Sequence, residues 1–135
     1  MAGLVDPKVV GHGAAAQIAI TVPPALVVSA LRRDDIGAES NLWLVAAFLA
    51  LVVAPAVAGA LVARRRPDAP MLHAALATAA GWAVLTAVSI LRSAIAADEL
   101  APILASLLTI APIQVGIGVL GAFFGRPRNA EEIEP

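Results

Sequence analysis

Three consecutive arginines, Arg64, Arg65 and Arg66, stand between two long stretches without a charged residue. Residues 42–63 make 22 such positions and residues 72–91 another 20. At the rise of an α-helix, each stretch covers the ~30 Å of a bilayer's hydrocarbon layer. Guanidinium groups are too costly to hold in lipid. The arginines, with Pro67, Asp68 and Pro70 behind them, therefore pin the turn of a helical hairpin to one membrane face.

Composition extends that reading to the whole chain. Of 135 residues, 60% are hydrophobic and only 14% charged, with a mean hydropathy of +0.88. A soluble domain of this size has too much surface to cover with so few charges, so most of this surface meets lipid. No cysteine is present, which excludes disulfides and thiolate chemistry. No basic block with interleaved aromatics lies outside the apolar runs, and nucleic acid is not expected as a partner.

Two further uncharged runs flank the hairpin. Residues 14–31 hold 18 positions, short for a span unless residues 9–13 extend it, and residues 100–124 form the last. The first contains Gln17, Thr21, Ser29 and the pair Pro23-Pro24. A secretory signal ending at Val28-Ser29-Ala30 is the competing reading. The single leader lysine is offset by Asp6, however, and Pro-Pro would break the apolar core of a signal. The predicted organisation is an all-α, polytopic transmembrane bundle of four helices over 14–125. A short leader (1–13) precedes it and a polar tail (126–135) follows.

With four spans, Lys8, Arg64, Arg65, Arg66, Arg126 and Arg128 fall on one face and Arg32, Arg33 and Arg92 on the other, six against three. The asymmetry predicts both termini and the 64–70 turn in the cytoplasm, and a three-span arrangement nearly abolishes it. Trp43 stands where an indole would sit at the headgroup boundary. The basic turn would attract anionic lipid.

All ten acidic residues lie outside the apolar runs. Ion-coupled carriers keep a carboxylate near mid-membrane. The small multidrug transporters share this length and span number but carry a glutamate in the first helix. Here only Gln17 occupies that region, and glutamine does not titrate. Asp34, Asp35, Glu39, Asp98 and Glu99 could form a divalent-cation site, although a solvated rim that pairs with Arg92 is the simpler reading. His12 and His73 do not amount to a metal site, and no catalytic constellation falls within the spans. No cofactor and no enzymatic activity are expected.

Within the third span, Ala75, Thr78, Trp82, Thr86, Ser89 and Ser93 recur at three- or four-residue steps and share one helical face. Small and hydroxyl residues so placed make a packing face; the alternative is the wall of a polar path. Trp82 lies deep in the span, where its N–H needs an acceptor from a neighbouring helix. In the fourth span Gln114, Gly118, Gly121 and Gly125 share a face, and Gly121 to Gly125 is a GxxxG pair. Such a pair signals close helix contact, within the monomer or across a dimer. The pattern Gly116-x-Gly118-x-x-Gly121 follows no strand and is no dinucleotide site. Pro112 should kink this helix near its middle, and Gln114, two residues on, could bond a freed carbonyl.

Residues 57–66 (VAGALVARRR), the Leu72-His73-Ala74-Ala75-Leu76 opening and the glycine-rich stretch 116–125 together resemble a group of small four-helix bacterial membrane proteins, over residues 42–125. The resemblance implies an architecture and no reaction. The functional expectation is a non-enzymatic accessory or scaffold component of the inner membrane. It would meet lipid, itself or a larger membrane partner through Gly/Ala faces. The alternatives are an oligomeric solute or ion pathway and a holin-like pore former.

Overall fold

Asp6 and Pro7 set where the first helix begins. Pro7, at the first helical position, has no N–H to leave unpaired, and its ring fixes the backbone angle a helix needs. The Asp6 carboxylate Oδ1 accepts from the N–H groups of Lys8 (3.0 Å) and Val9 (3.4 Å), capping the open donors of the first turn. The computed structural model describes residues 5–33, 37–96 and 100–127, and their side chains except at 32, 33, 37–40, 100, 102 and 103. It is all-α, with α1 Pro7–Arg33, α2 Gly37–Arg65, α3 Pro70–Ala96 and α4 Leu100–Gly125. All four are long and apolar enough to cross a membrane. The chain is a multi-pass membrane protein.

The first helix starts at Pro7 rather than at residue 14, because the cap lies at Asp6 and Val9, Val10 and Gly13 are packing residues. Val9 joins Val62 of α2 and Ala77 of α3 in one buried cluster, with Val10 against it. The second cluster is Ala63 of α2, Ala74 of α3 and Ala122 of α4, with Met71 against it. Both lie close to the basic turn. Among the described residues every pair of helices packs except α1 with α4. The α2–α3 pair is thus the shared centre, flanked by α1 on one side and α4 on the other.

Burial is uneven along the membrane normal. Ala54, Ala58, Val62, Ala63, Ala74, Ala77 and Ala122 are fully buried, and all belong to the half that holds the basic turn. Large apolar side chains are exposed in both halves: Leu42, Leu44, Val45, Phe48 and Leu49 of α2 with Leu104 and Leu108 of α4 in one, Leu61, Leu72, Leu120, Phe123 and Phe124 in the other. Large apolar side chains facing outward are the expected surface where lipid is the solvent.

The turn is held by its own charges. Arg66 donates from Nε (3.0 Å) and Nη2 (2.9 Å) to the two oxygens of Asp68, a fork that carboxylates accept well. Its Nη1 also lies 3.5 Å from Asp6 Oδ2. The hydrogen-bonded guanidinium holds the Asp68 carboxyl below the usual range, and the carboxylate in turn raises Arg66. Arg64 and Arg65 are exposed in the last turn of α2, where the helix dipole favours positive charge.

Candidate functional site

Proline at position 55 denies the carbonyl of Leu51 its helical N–H partner. In lipid such a carbonyl has no water to turn to, so a neighbouring helix must supply the donor. Gln114 of α4 supplies it: its Nε2 donates to Leu51 O at 2.9 Å. Its Oε1 in turn accepts from Gln17 Nε2 of α1 at 3.4 Å. Gln17 and Gln114 are 1% and 3% exposed. The Leu51 carbonyl can only accept, so both amides are fixed in orientation and the chain runs one way, from Gln17 through Gln114 to Leu51.

This relay bridges α1 and α4, which do not pack directly on each other, passing between α2 and α3. Its free end, Gln17 Oε1, is buried without a hydrogen-bond partner. It rests on α3 at Gly81, only 2.6 Å from where a Cβ would stand. Any side chain at 81 would displace the glutamine, so the glycine makes the seat. Gln17, Leu51, Gly81 and Gln114 each lie within a few residues of the middle of their helix. They form a polar layer of amides and backbone at mid-membrane, with no titratable group among them.

Gln114 was expected to serve the kink of its own helix at Pro112. It serves α2 at Pro55 instead, because its side chain projects towards that neighbour. Trp82 satisfies its N–H on α4, with Nε1 donating to Leu107 O at 3.2 Å.

On the basic side of this layer the helices touch backbone to backbone. A Cβ at Gly59 would strike the backbone of Gly118, one at Gly121 the backbone of Ala56, and one at Gly125 the Cα of Ala60. The Gly118, Gly121 and Gly125 face is occupied within the monomer, by α2. Gly118 also receives Thr78 of α3, whose hydroxyl bonds back to Ala74 O at 2.8 Å. Gly13 of α1 lies against Val62 and Ala77 in the same way. At the rim His73, fully buried, accepts the N–H of Asp6 on Nε2 (2.9 Å) and donates from Nδ1 to Ala69 O (2.8 Å). That pairing describes a neutral imidazole.

The third-span stripe therefore does not serve one surface. Ala75 is half-buried and Thr78 packs on α4. Trp82 and Thr86 line a crevice of about 590 Å³ between α3 and α4, with Leu104, Leu108 and Pro112 opposite. The Thr86 hydroxyl there is buried without a partner. Ser89 and Ser93 turn to a different crevice, shared with α1. Among the described residues no group of His, Asp and Glu could hold a metal ion. The acidic set Asp34, Asp35, Glu39, Asp98 and Glu99 falls outside the residues or side chains described. Arg92 makes no ion pair among those that are described.

Gln17, Gly13, Gly81 and His73 carry more of this arrangement than their sequence context signalled. The available signal was proline: each one inside a membrane helix frees a carbonyl, and a buried amide is the natural donor to seek. Comparison with known protein families, with curated proteins and with solved structures finds no match.

Proposed function

We propose that this chain is a non-enzymatic accessory or scaffold component of a bacterial inner membrane, with both termini and the 64–70 turn in the cytoplasm. The observation that carries the reading is how the mid-membrane polar groups are spent. Gln114, Gln17, Thr78 and Trp82 bond to one another or to backbone carbonyls. The layer beneath them is closed by glycine against backbone. A carrier or channel needs such groups turned to water or to a passing ion. Here the two amides and the indole bond across helices and Thr78 bonds back within α3; among the described residues Gln17 Oε1 and the Thr86 hydroxyl alone stay buried without a partner. The orientation rests on the six-to-three distribution of basic residues.

Since the glycine face of α4 is used internally, the meeting surface for a partner is the exposed apolar exterior. The test is the mass and composition of the gently solubilised protein. Co-purification of a distinct membrane protein in fixed ratio is the expected result. A discrete homo-oligomer that passes ions or small solutes in liposomes would overturn the reading and restore the pathway alternative.

A further inference from the structure

Between α1 and α3, in the half of the bundle away from the basic turn, lies a crevice of about 350 Å³. It opens at the level of Pro23 and Pro24, where α1 lacks two backbone donors and bends most easily. Leu26 and Val88 form apolar walls, and Thr21, Ser89, Arg92 and Ser93 supply the polar lining. Thr21 and Ser93 are each 8% exposed. Neither hydroxyl makes a hydrogen bond among the described residues, so both remain available as donors at the inner wall of a half-open crevice. Ser89 already donates to Leu85 O at 2.9 Å.

The depth of these groups is set by the helix. Arg92 stands eleven residues beyond Gly81 in α3, about 16 Å along the axis. With Gly81 at mid-membrane, this brings the guanidinium to the edge of a hydrocarbon layer whose half-thickness is ~15 Å. Thr21 lies four residues beyond Gln17 in α1, about 6 Å from the same midplane. The crevice thus runs from the headgroup boundary into the acyl region, with its cation at the wet end and its apolar walls below.

We infer that this crevice holds one anionic phospholipid of the leaflet opposite the triple arginine. Its phosphate lies on Arg92 and the hydroxyl of Ser93, and one acyl chain runs inward along Leu26 and Val88. Local charge selects the occupant: among the described residues lining the crevice, Arg92 is the one charged side chain. The guanidinium is exposed, has no ion pair among the described residues, and presents a fork of donors that fits phosphate oxygens in pairs. A zwitterionic lipid would bring its own cation to the same place and gain less.

The test uses the full chain in nanodiscs of equal parts phosphatidylglycerol and phosphatidylcholine, with retained lipid counted by native mass spectrometry. One phosphatidylglycerol per chain should be retained in preference to phosphatidylcholine. Arg92→Gln should lower that preference about tenfold, the scale of losing one charge-assisted contact. Arg64→Gln, in the basic turn that also attracts anionic lipid, should lower it by less than Arg92→Gln does, and Gly116→Ala, in open space away from the crevice, should leave it unchanged. Leu26→Trp, at an exposed position where folding is not at risk, should lower retention while Arg92 stays intact. Equal retention of the two lipids would overturn the assignment, as would an unchanged preference in Arg92→Gln. So would a preference lost only in Arg64→Gln, or retention of free fatty acid in place of phospholipid.

Discussion

The two halves of this bundle solve the same problem differently. On the side of the basic turn, helices approach until glycine and alanine leave backbone against backbone, and the fully buried residues are almost all alanine, valine, His73 and Thr78. On the other side the helices leave crevices on both flanks of α3, of about 590 and 350 Å³. Lipid offers no hydrophobic drive for helices to associate, so close van der Waals contact must supply it. Only the small-residue half can do so. That half holds the fold, and the open half is where lipid or a partner can enter.

The largest test breaks the closed half. Gly121→Leu places a side chain where the Ala56 backbone stands. The destabilisation should exceed the ~1–3 kcal/mol of ordinary overpacking, because backbone cannot yield as a side chain can. Loss of the monomeric bundle in thermal unfolding is expected, and an unchanged melting temperature would deny the α2–α4 seam. A related change in the open half, Leu108→Ala at a 73% exposed position, should leave stability nearly intact.

A middle-sized test separates the two amides between the halves. Gln114→Leu strands the Leu51 carbonyl and the Gln17 amide, and should cost about 1–3 kcal/mol. Gln17→Leu removes one bond and exchanges one unpartnered oxygen, its own, for another, Gln114 Oε1, so a smaller loss of about 1 kcal/mol is expected. Equal losses in the two variants would mean that the relay does not end at Gln17.

Gly116 sharpens the contrast further. Nothing stands within 4 Å of a Cβ there, so Gly116→Ala should shift stability by no more than roughly 0.5 kcal/mol, and in the favourable direction given alanine's helix preference. The smallest effect is at the turn. Asp68 is held below its ordinary carboxyl value by the Arg66 hydrogen bond. Its contribution is therefore present above the unfolded carboxyl value of ~3.9 and is lost as pH falls through the lower folded value. Amide protection at residues 66–73, taken relative to the intrinsic exchange rate at each pH, should fall below about pH 4, and Asp68→Asn should remove that dependence.

Much of the architecture was legible because lipid imposes a coarse rule: twenty uncharged residues, then charge. Helix number and the level of the arginine turn follow from it. Which helix meets which does not. Gln114 is two residues from Pro112 in sequence, yet it serves Pro55, since proline announces a freed carbonyl without naming the donor. The GxxxG pair signals close approach equally well for a monomer or a dimer, and only the position of Ala56 and Ala60 decides. The six-residue stripe of α3 follows helical spacing, but α1 and α4 border it at different heights. Gly81 in α3 gave no periodic signal at all, because its role is to lack a side chain opposite Gln17.

The bond from Gln114 to Leu51 also carries a history. Chains are made from the N-terminus, so α2 enters the bilayer with its proline-freed carbonyl well before α4 has been synthesised. Until residue 114 arrives, that oxygen faces hydrocarbon with nothing to accept from. Closure of the bundle therefore waits on the last helix. A nascent chain stopped between α3 and α4 would expose, at mid-membrane, the group most readily recognised by whatever inspects unfinished membrane proteins.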